Sequence, residues 1–321
     1  MLYNSGDGDL NYFDCHCDTL SRILDDGGML RQNTGHIDIS RCKHTFSKYG
    51  QVFALWGDAD KEKGGISKRF DRLFEVANAE FGANAGDIAL CKSGEDIEAI
   101  FCKNKIAAIL SIEGAELLGE EMETGVDTAY EQGVRIIQLT WNYQNAYAGP
   151  SADKNNQGLT EEGRKLVKYA EGKMIIDVSH ASEKTFFDIA KITDMPFIAS
   201  HSNCKKICGH HRNLTDDEIR VIIDRKGLCG INLYAPFIAD AGVCRLEEVL
   251  SHVMHIIDIG GEDVVAFGCD FDGCDRLPNE VDGIESIPGI YSFFKKSGLC
   301  ERLLNKLFFE NAYNFMKNNI K

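Results

Sequence analysis

The chain reads as an α/β protein built as one (β/α)8 barrel, a single domain over residues 1–321. Three observations predict this. Eight short apolar runs, several of them apolar on both faces as strands of a covered parallel sheet must be, recur along the sequence. Amphipathic segments of helical period lie between them. Metal-capable or acid–base residues fall at the C-terminal ends of five runs, the end at which barrels of this kind build their active sites. An open doubly wound sheet is the structural alternative. No G-x-G-x-x-G follows the first run, so dinucleotide binding has little support.

The predicted strands are Tyr12–Cys17, Gln51–Trp56, Ile106–Ile112, Val134–Leu139, Met174–Ser179, Phe197–Ser200, Leu228–Leu233 and Val264–Gly268. Ser67–Ala83 carries Phe70, Leu73, Phe74 and Val76 at helical spacing before the third of them. Thr160–Gly172 opens with a Thr cap and two glutamates and stops at a glycine. Thr215 followed by Asp216, Asp217 and Glu218 marks another helix start, and Arg245–Ile259 and Leu299–Met316 complete the set.

Charge and composition exclude several function classes. Lys and Arg number 35 against 50 Asp and Glu, a net charge of −15, which argues against tracking a nucleic-acid backbone or an anionic membrane surface. The opening Met1–Asp9 has no basic region followed by an apolar stretch, and no run approaches the ~18 apolar residues that span a bilayer. The end of the chain lacks the hydrophobic tail of a lipid-anchor signal. A soluble cytoplasmic protein with no membrane or nucleic-acid partner is expected. The 12 cysteines are then expected as reduced thiols, Cys204 and Cys208 included, because no second pair matches their spacing.

The chemistry sits at the strand ends. His16 and Asp18 are two apart on the first strand and so share a face, with Cys15 and Cys17 expected on the other, toward the helices. Imidazole with carboxylate suits a borderline divalent ion such as zinc. His180 and His201 end the fifth and sixth strands, and Glu113 is the carboxylate able to bridge two ions. These five residues suffice for a binuclear site with a shared hydroxide, and Asp270 remains as the acid–base group. Asp272 would face the same way if the strand continued, but Gly273 suggests that the chain has turned. His36, His44, His210, His252 and His255 lack ligand spacing.

At these residues the chain resembles the renal (membrane) dipeptidases, zinc peptidases of the amidohydrolase superfamily. The resemblance lies in Phe13-Asp14-Cys15-His16-Cys17-Asp18, Ser111-Ile112-Glu113-Gly114, Asp177-Val178-Ser179-His180-Ala181-Ser182 and Ala199-Ser200-His201-Ser202. It continues through His211-Arg212-Asn213-Leu214, Ile231-Asn232-Leu233-Tyr234 and Gly268-Cys269-Asp270-Phe271-Asp272-Gly273. It implies that His16 and Asp18 hold one zinc ion, that His180 and His201 hold the other, and that Glu113 bridges them. Asp270 would take a proton from the attacking water and pass it to the leaving amine. Arg212 would grip the free carboxylate of a dipeptide and Tyr234 would line the substrate pocket. The implied substrate is a dipeptide, a D-residue at its C-terminal position included, cleaved by a hydroxide bridging two Zn2+ ions, and a homodimer is left open.

One segment departs from the family. Its peptidases often carry, after the fourth strand, a histidine that polarises the scissile carbonyl. Here the chain reads Leu139-Thr140-Trp141-Asn142, without one. That puts oxyanion stabilisation in question and leaves, as the alternative, a related amidohydrolase acting on an N-acyl amino acid or a cyclic amide. A catalytically silent barrel is poorly supported, because every proposed ligand and Asp270 are present.

Overall fold

The computed structural model describes residues 10–62, 65–240 and 244–321. Met1–Asp9, where no leader was read, lie outside the described residues. Nine parallel strands form one sheet: β1 (Asn11–Cys17), β2 (Lys48–Trp56), β3 (Ile88–Leu90), β4 (Ile106–Glu113), β5 (Val134–Gln138), β6 (Ile175–Asp177), β7 (Ile198–Ala199), β8 (Leu228–Ile231) and β9 (Val265–Phe267). The order β2-β1-β9-β8-β7-β6-β5-β4 closes on itself through a seven-residue β2–β4 register, giving an eight-stranded barrel. All eight predicted runs are staves of it.

β3 is the strand the sequence did not offer. Its three residues pair with Ile106–Ala108 at the start of β4, while β5 takes the end of the same edge from Leu110 onward. A three-residue run is too short to show a period, so nothing marked it.

The interior is dry at the bottom. One buried cluster takes Phe13, Val52, Ile109, Ile136, Ile175, Ile198, Leu228 and Ala266, one from each stave, together with Phe309, Phe315 and Met316 near the C-terminus. A larger cluster on the outer faces, with Phe53, Leu110, Ile137, Ile176, Ile231 and Phe267, packs the barrel against its helices. The predicted helix starts hold: Thr160 accepts from Gly163 N at 3.0 Å, and Thr215 with Glu218 forms a reciprocal capping box. The last helix is continuous but widens at Lys306–Glu310 into a π turn.

The thiols are all free. Cys204 Sγ donates to His252 O at 3.5 Å, and Cys208 Sγ to Asp240 at 3.2 Å. His252 is buried and bridges Cys204 N and Ile238 O, each at 3.0 Å. None of the helices of the described residues is long and apolar enough to cross a membrane.

Candidate active site

The barrel mouth is polar because the strand alternation changes chemistry at its last inward positions. Along β4 the inward residues run Ala107, Ile109, Ser111, Glu113, so the carboxylate arrives at the top of an otherwise apolar face. β1 reaches the same level differently. Its register with β2 passes from Asp14↔Gln51 to Cys17↔Phe53, one extra residue on β1, which is a bulge. The expectation for the two cysteines is corrected by this. Cys17 packs with the helix-side cluster as expected, but Cys15 joins the interior cluster beside Phe13, and the bulge turns His16 inward next to it.

His201 enters through a different device. The Ser200 carbonyl projects so far inside that a Cβ at Gly230 or Gly268 would stand 1.8 or 1.7 Å from its oxygen. Only glycine at both positions leaves room for this crossing of the chain. His180 and Asp270 leave their strands with φ of +65° and +61°, and Asp272 with +67°, in the left-handed region that costs side-chain-bearing residues energy. Asp272 has indeed turned away: it accepts from Thr19 Oγ1 at 2.6 Å and His36 N at 2.7 Å, fastening the loops of the rim.

These devices bring six of the residues singled out in the sequence together. Glu113 stands at the centre. Its Oε2 is 3.3 Å from His16 Nε2, and its Oε1 is 3.1 Å from His180 Nε2 and 3.7 Å from His201 Nε2. His16 Nε2 lies 3.4 Å from Asp18 and 3.9 Å from Asp270. The ring nitrogens of His180 and His201 face each other at 3.1 Å. Ligand atoms of His16, Glu113 and His201, and again of His16, Asp18 and Asp270, lie within 4.8 Å of one another.

The electrostatics show a site built around positive charge. Burial alone would push His16 down, yet Glu113 and Asp18 carry it well above the usual imidazole range. Burial opposes ionisation of Glu113, but the positive charge of His16 holds it well below the usual carboxylate range. Burial, then the Glu113 charge, raise Asp18 to about 7. Burial, then Arg212, lower His180 to about 3, so its imidazole is neutral with a lone pair to offer. His16 Nε2 and Asp18 Oδ1 are buried polar atoms with no hydrogen-bond partner. Such orphans are costly unless something else satisfies them.

A supporting layer, to whose members the sequence reading gave no orienting role, positions these groups. Asn142 Oδ1 accepts from His180 Nδ1 at 2.9 Å, which leaves Nε2 as the free lone pair. Ser200 Oγ contacts His201 Nδ1 at 2.7 Å. Buried Asp14 accepts from His16 N and Cys269 N, tying β1 to the Asp270 turn. Asp177 does the same for Ser179 N and Ser200 N, and Asn232 Nδ2 donates to Asp270 at 2.9 Å. The available signal was a carboxylate inside an apolar strand shortly before a histidine, Asp14 before His16 and Asp177 before His180.

Arg212 and Tyr234 stand beyond this centre. The Arg212 guanidinium is buried over the Phe237 ring at 5.4 Å, donating to Ser202 Oγ and His201 O at 3.2 Å each. Its Nε has no partner, and it forms no ion pair with the described residues. Burial brings it down to about 10. It lines a cleft of about 230 Å³, which shares His180 with the main cleft of about 590 Å³. Tyr234 lines the main cleft and packs edge-on against Phe237 at 4.8 Å.

A closed (β/α)8 barrel with histidines and carboxylates converging at the C-terminal mouth is the frame of a metal-dependent hydrolase. The comparisons with known proteins place it further. The chain belongs to the membrane dipeptidase family, peptidase family M19, whose model matches residues 8–320. A Klebsiella pneumoniae protein described as an uncharacterized protein in the pqqA 5′ region is 35% identical over 246 residues, 73% of this chain and 90% of its own. The solved structure of the dipeptidase AC, a metallo peptidase of family M19, superposes with a TM-score of 0.87 at 26% identity, over 97% of this chain and 99% of that one. A metallo peptidase from Rhodobacter sphaeroides, solved with a phosphinate mimic of the dipeptide L-Ala-D-Ala, gives 0.86 at 25% identity over 98% and 100%. The protein is a dipeptidase-family hydrolase of the metallopeptidase kind, and the family implies a divalent metal, typically zinc.

Proposed function

We propose that this single barrel domain is a binuclear zinc dipeptidase, acting on L,L-dipeptides and on those with a D-residue at the C-terminal position. The observation that carries the reading is the split of Glu113: one oxygen faces His16 and the other faces His180 and His201. The donor set fits two ions. Nitrogens bound to one tetrahedral zinc at ~2.0–2.1 Å stand about 3.3 Å apart, and the His180–His201 separation is 3.1 Å. Two lone pairs aimed at each other at that distance repel unless a cation or proton lies between them. The unpartnered atoms of His16 and Asp18 call for the same. His16 and Asp18 would hold one ion, His180 and His201 the other, with Glu113 shared. When bound, the ions lower the pKa of water and polarise the peptide carbonyl.

The chain's own groups supply the rest. Asp270, held by Asn232, accepts the proton of the attacking water and hands it to the leaving amine. Arg212 holds the substrate carboxylate. A buried guanidinium with an idle Nε, and with no carboxylate of the described residues within ion-pair distance, is a place prepared for an anion, and its planar fork suits a carboxylate. The D-residue reading rests on the dipeptide mimic bound by the Rhodobacter sphaeroides relative.

The test is kcat/KM for a free dipeptide and for its C-terminally amidated form, with the native protein and with Arg212→Met. The native protein should prefer the free dipeptide by tenfold or more, since leaving a charged partner unmatched costs ~1.5–3 kcal/mol. Arg212→Met should erase most of that preference by penalising the free dipeptide. Equal rates in the native protein would refute the carboxylate grip and favour a substrate that lacks this carboxylate, such as a cyclic amide.

A further inference from the structure

Around the closed barrel the staves follow one another as β1, β2, β4, β5, β6, β7, β8 and β9. β2 therefore faces β7 across the mouth, and β4 faces β8. Arg212 lies on the loop after β7, and Tyr234 and Phe237 follow β8. On the opposite side, Trp56 ends β2 and Trp141 follows β5, so the two indoles straddle β4 and its Glu113. They meet edge to face with ring centroids 5.0 Å apart, and both line the main cleft beside Asn142 and His180. Tyr143, 43% exposed, extends the wall outward, 5.3 Å from Trp141.

The wall is held from behind. The buried Arg69 donates through Nε to Trp56 O at 2.8 Å and pairs bidentately with Asp25, and Ser21 Oγ accepts from Trp56 N at 3.1 Å. Trp141 is carried by the segment that departs from the family.

Resting on the dipeptidase reading above, we propose that Trp56 and Trp141 form the subsite for the side chain of the substrate's N-terminal residue, and that they select large apolar or aromatic side chains there. The orientation follows from the mouth. A dipeptide whose carboxylate is held at Arg212 must cross the Glu113 centre to be cleaved, so its N-terminal residue comes to rest on the β2–β4–β5 side. An edge-to-face pair of indoles offers that side chain a ring face and a ring edge, the two surfaces that aromatic partners prefer. Trp141 thus takes a selecting position in the segment where relatives often carry a histidine.

The experiment measures kcat/KM for Phe-Ala, Leu-Ala, Ala-Ala and Gly-Ala, and for Ala-Phe as the reversed control, with the native protein and with Trp141→Leu and Trp56→Leu. The native protein should cleave Phe-Ala roughly tenfold or more faster than Ala-Ala, the scale that an apolar subsite provides. Each variant should narrow that ratio to within about threefold, while the ratio of Ala-Phe to Ala-Ala stays as it was. If the native protein turns over Phe-Ala and Ala-Ala alike, or if both variants keep the native ratio, the wall does not select and the proposal falls, with the dipeptidase reading intact. If none of the dipeptides is cleaved, the dipeptidase reading itself falls and the subsite with it.

Discussion

Glu113→Gln should lose both metal ions together. The carboxylate is buried between His16 on one side and His180 and His201 on the other, and in the proposed binuclear site its charge would offset two cations at once. An amide keeps the shape, and Gln138 Nε2, which now donates to Oε1 at 3.3 Å, could still be accommodated by the amide oxygen. What disappears is the negative charge and one bridging oxygen. Loss of an outer-layer partner of a metal site costs ~10–100-fold in affinity, and loss of a shared ligand should exceed that. Elemental analysis should fall from about two divalent ions per chain, by the proposed donor count, toward none. Activity should fall by at least ~10²–10³-fold, the scale on which removal of one electrostatic element acts. A variant that keeps one ion at full occupancy would show that Glu113 serves a single ion and does not bridge.

Asp270→Asn should separate chemistry from metal binding. The side chain sits 3.9 Å from His16 Nε2, farther than any of the other carboxylate contacts of that ring, and is anchored by Asn232. Burial raises its pKa and the neighbouring Glu113 charge adds to that rise, against the lowering pull of His16, which suits the proposed acid–base role. The amide can do neither. The ions should remain at native content while kcat falls ~10²–10⁴-fold. Near-native kcat with metal bound would remove Asp270 from the acid–base role. Loss of metal together with kcat would make it a ligand.

Much of this was legible in the sequence for a physical reason. Strands buried on both faces must be apolar, so an acid or histidine at the end of one stands out, and barrel topology sends every such end to one mouth. Glu113, His180, His201 and Asp270 are found by that rule alone. The parts that were not legible depend on interruptions of regular structure. The bulge that puts Cys15 and His16 on the same side breaks the two-residue period, and nothing in Cys15-His16-Cys17 announces it. The room for the Ser200 carbonyl comes from Gly230 and Gly268, which stand 30 and 68 residues downstream. β3 is too short to have a pattern, and the Asn142–His180 and Asn232–Asp270 contacts join residues 38 apart. Long-range partners of this kind are set by the closed sheet and not by any local spacing.

Dipeptide hydrolysis should belong to the metal-loaded cluster around Glu113. The direct measurement is the rate of L,L- and L,D-dipeptide cleavage by the protein as purified, after removal of metal by chelation and dialysis, and after return of Zn2+, with metal content determined in each sample. Hydrolysis should vanish as the content falls from about two ions per chain to none, and should return with the metal. Full activity in metal-free protein, with the barrel still folded, would contradict the account.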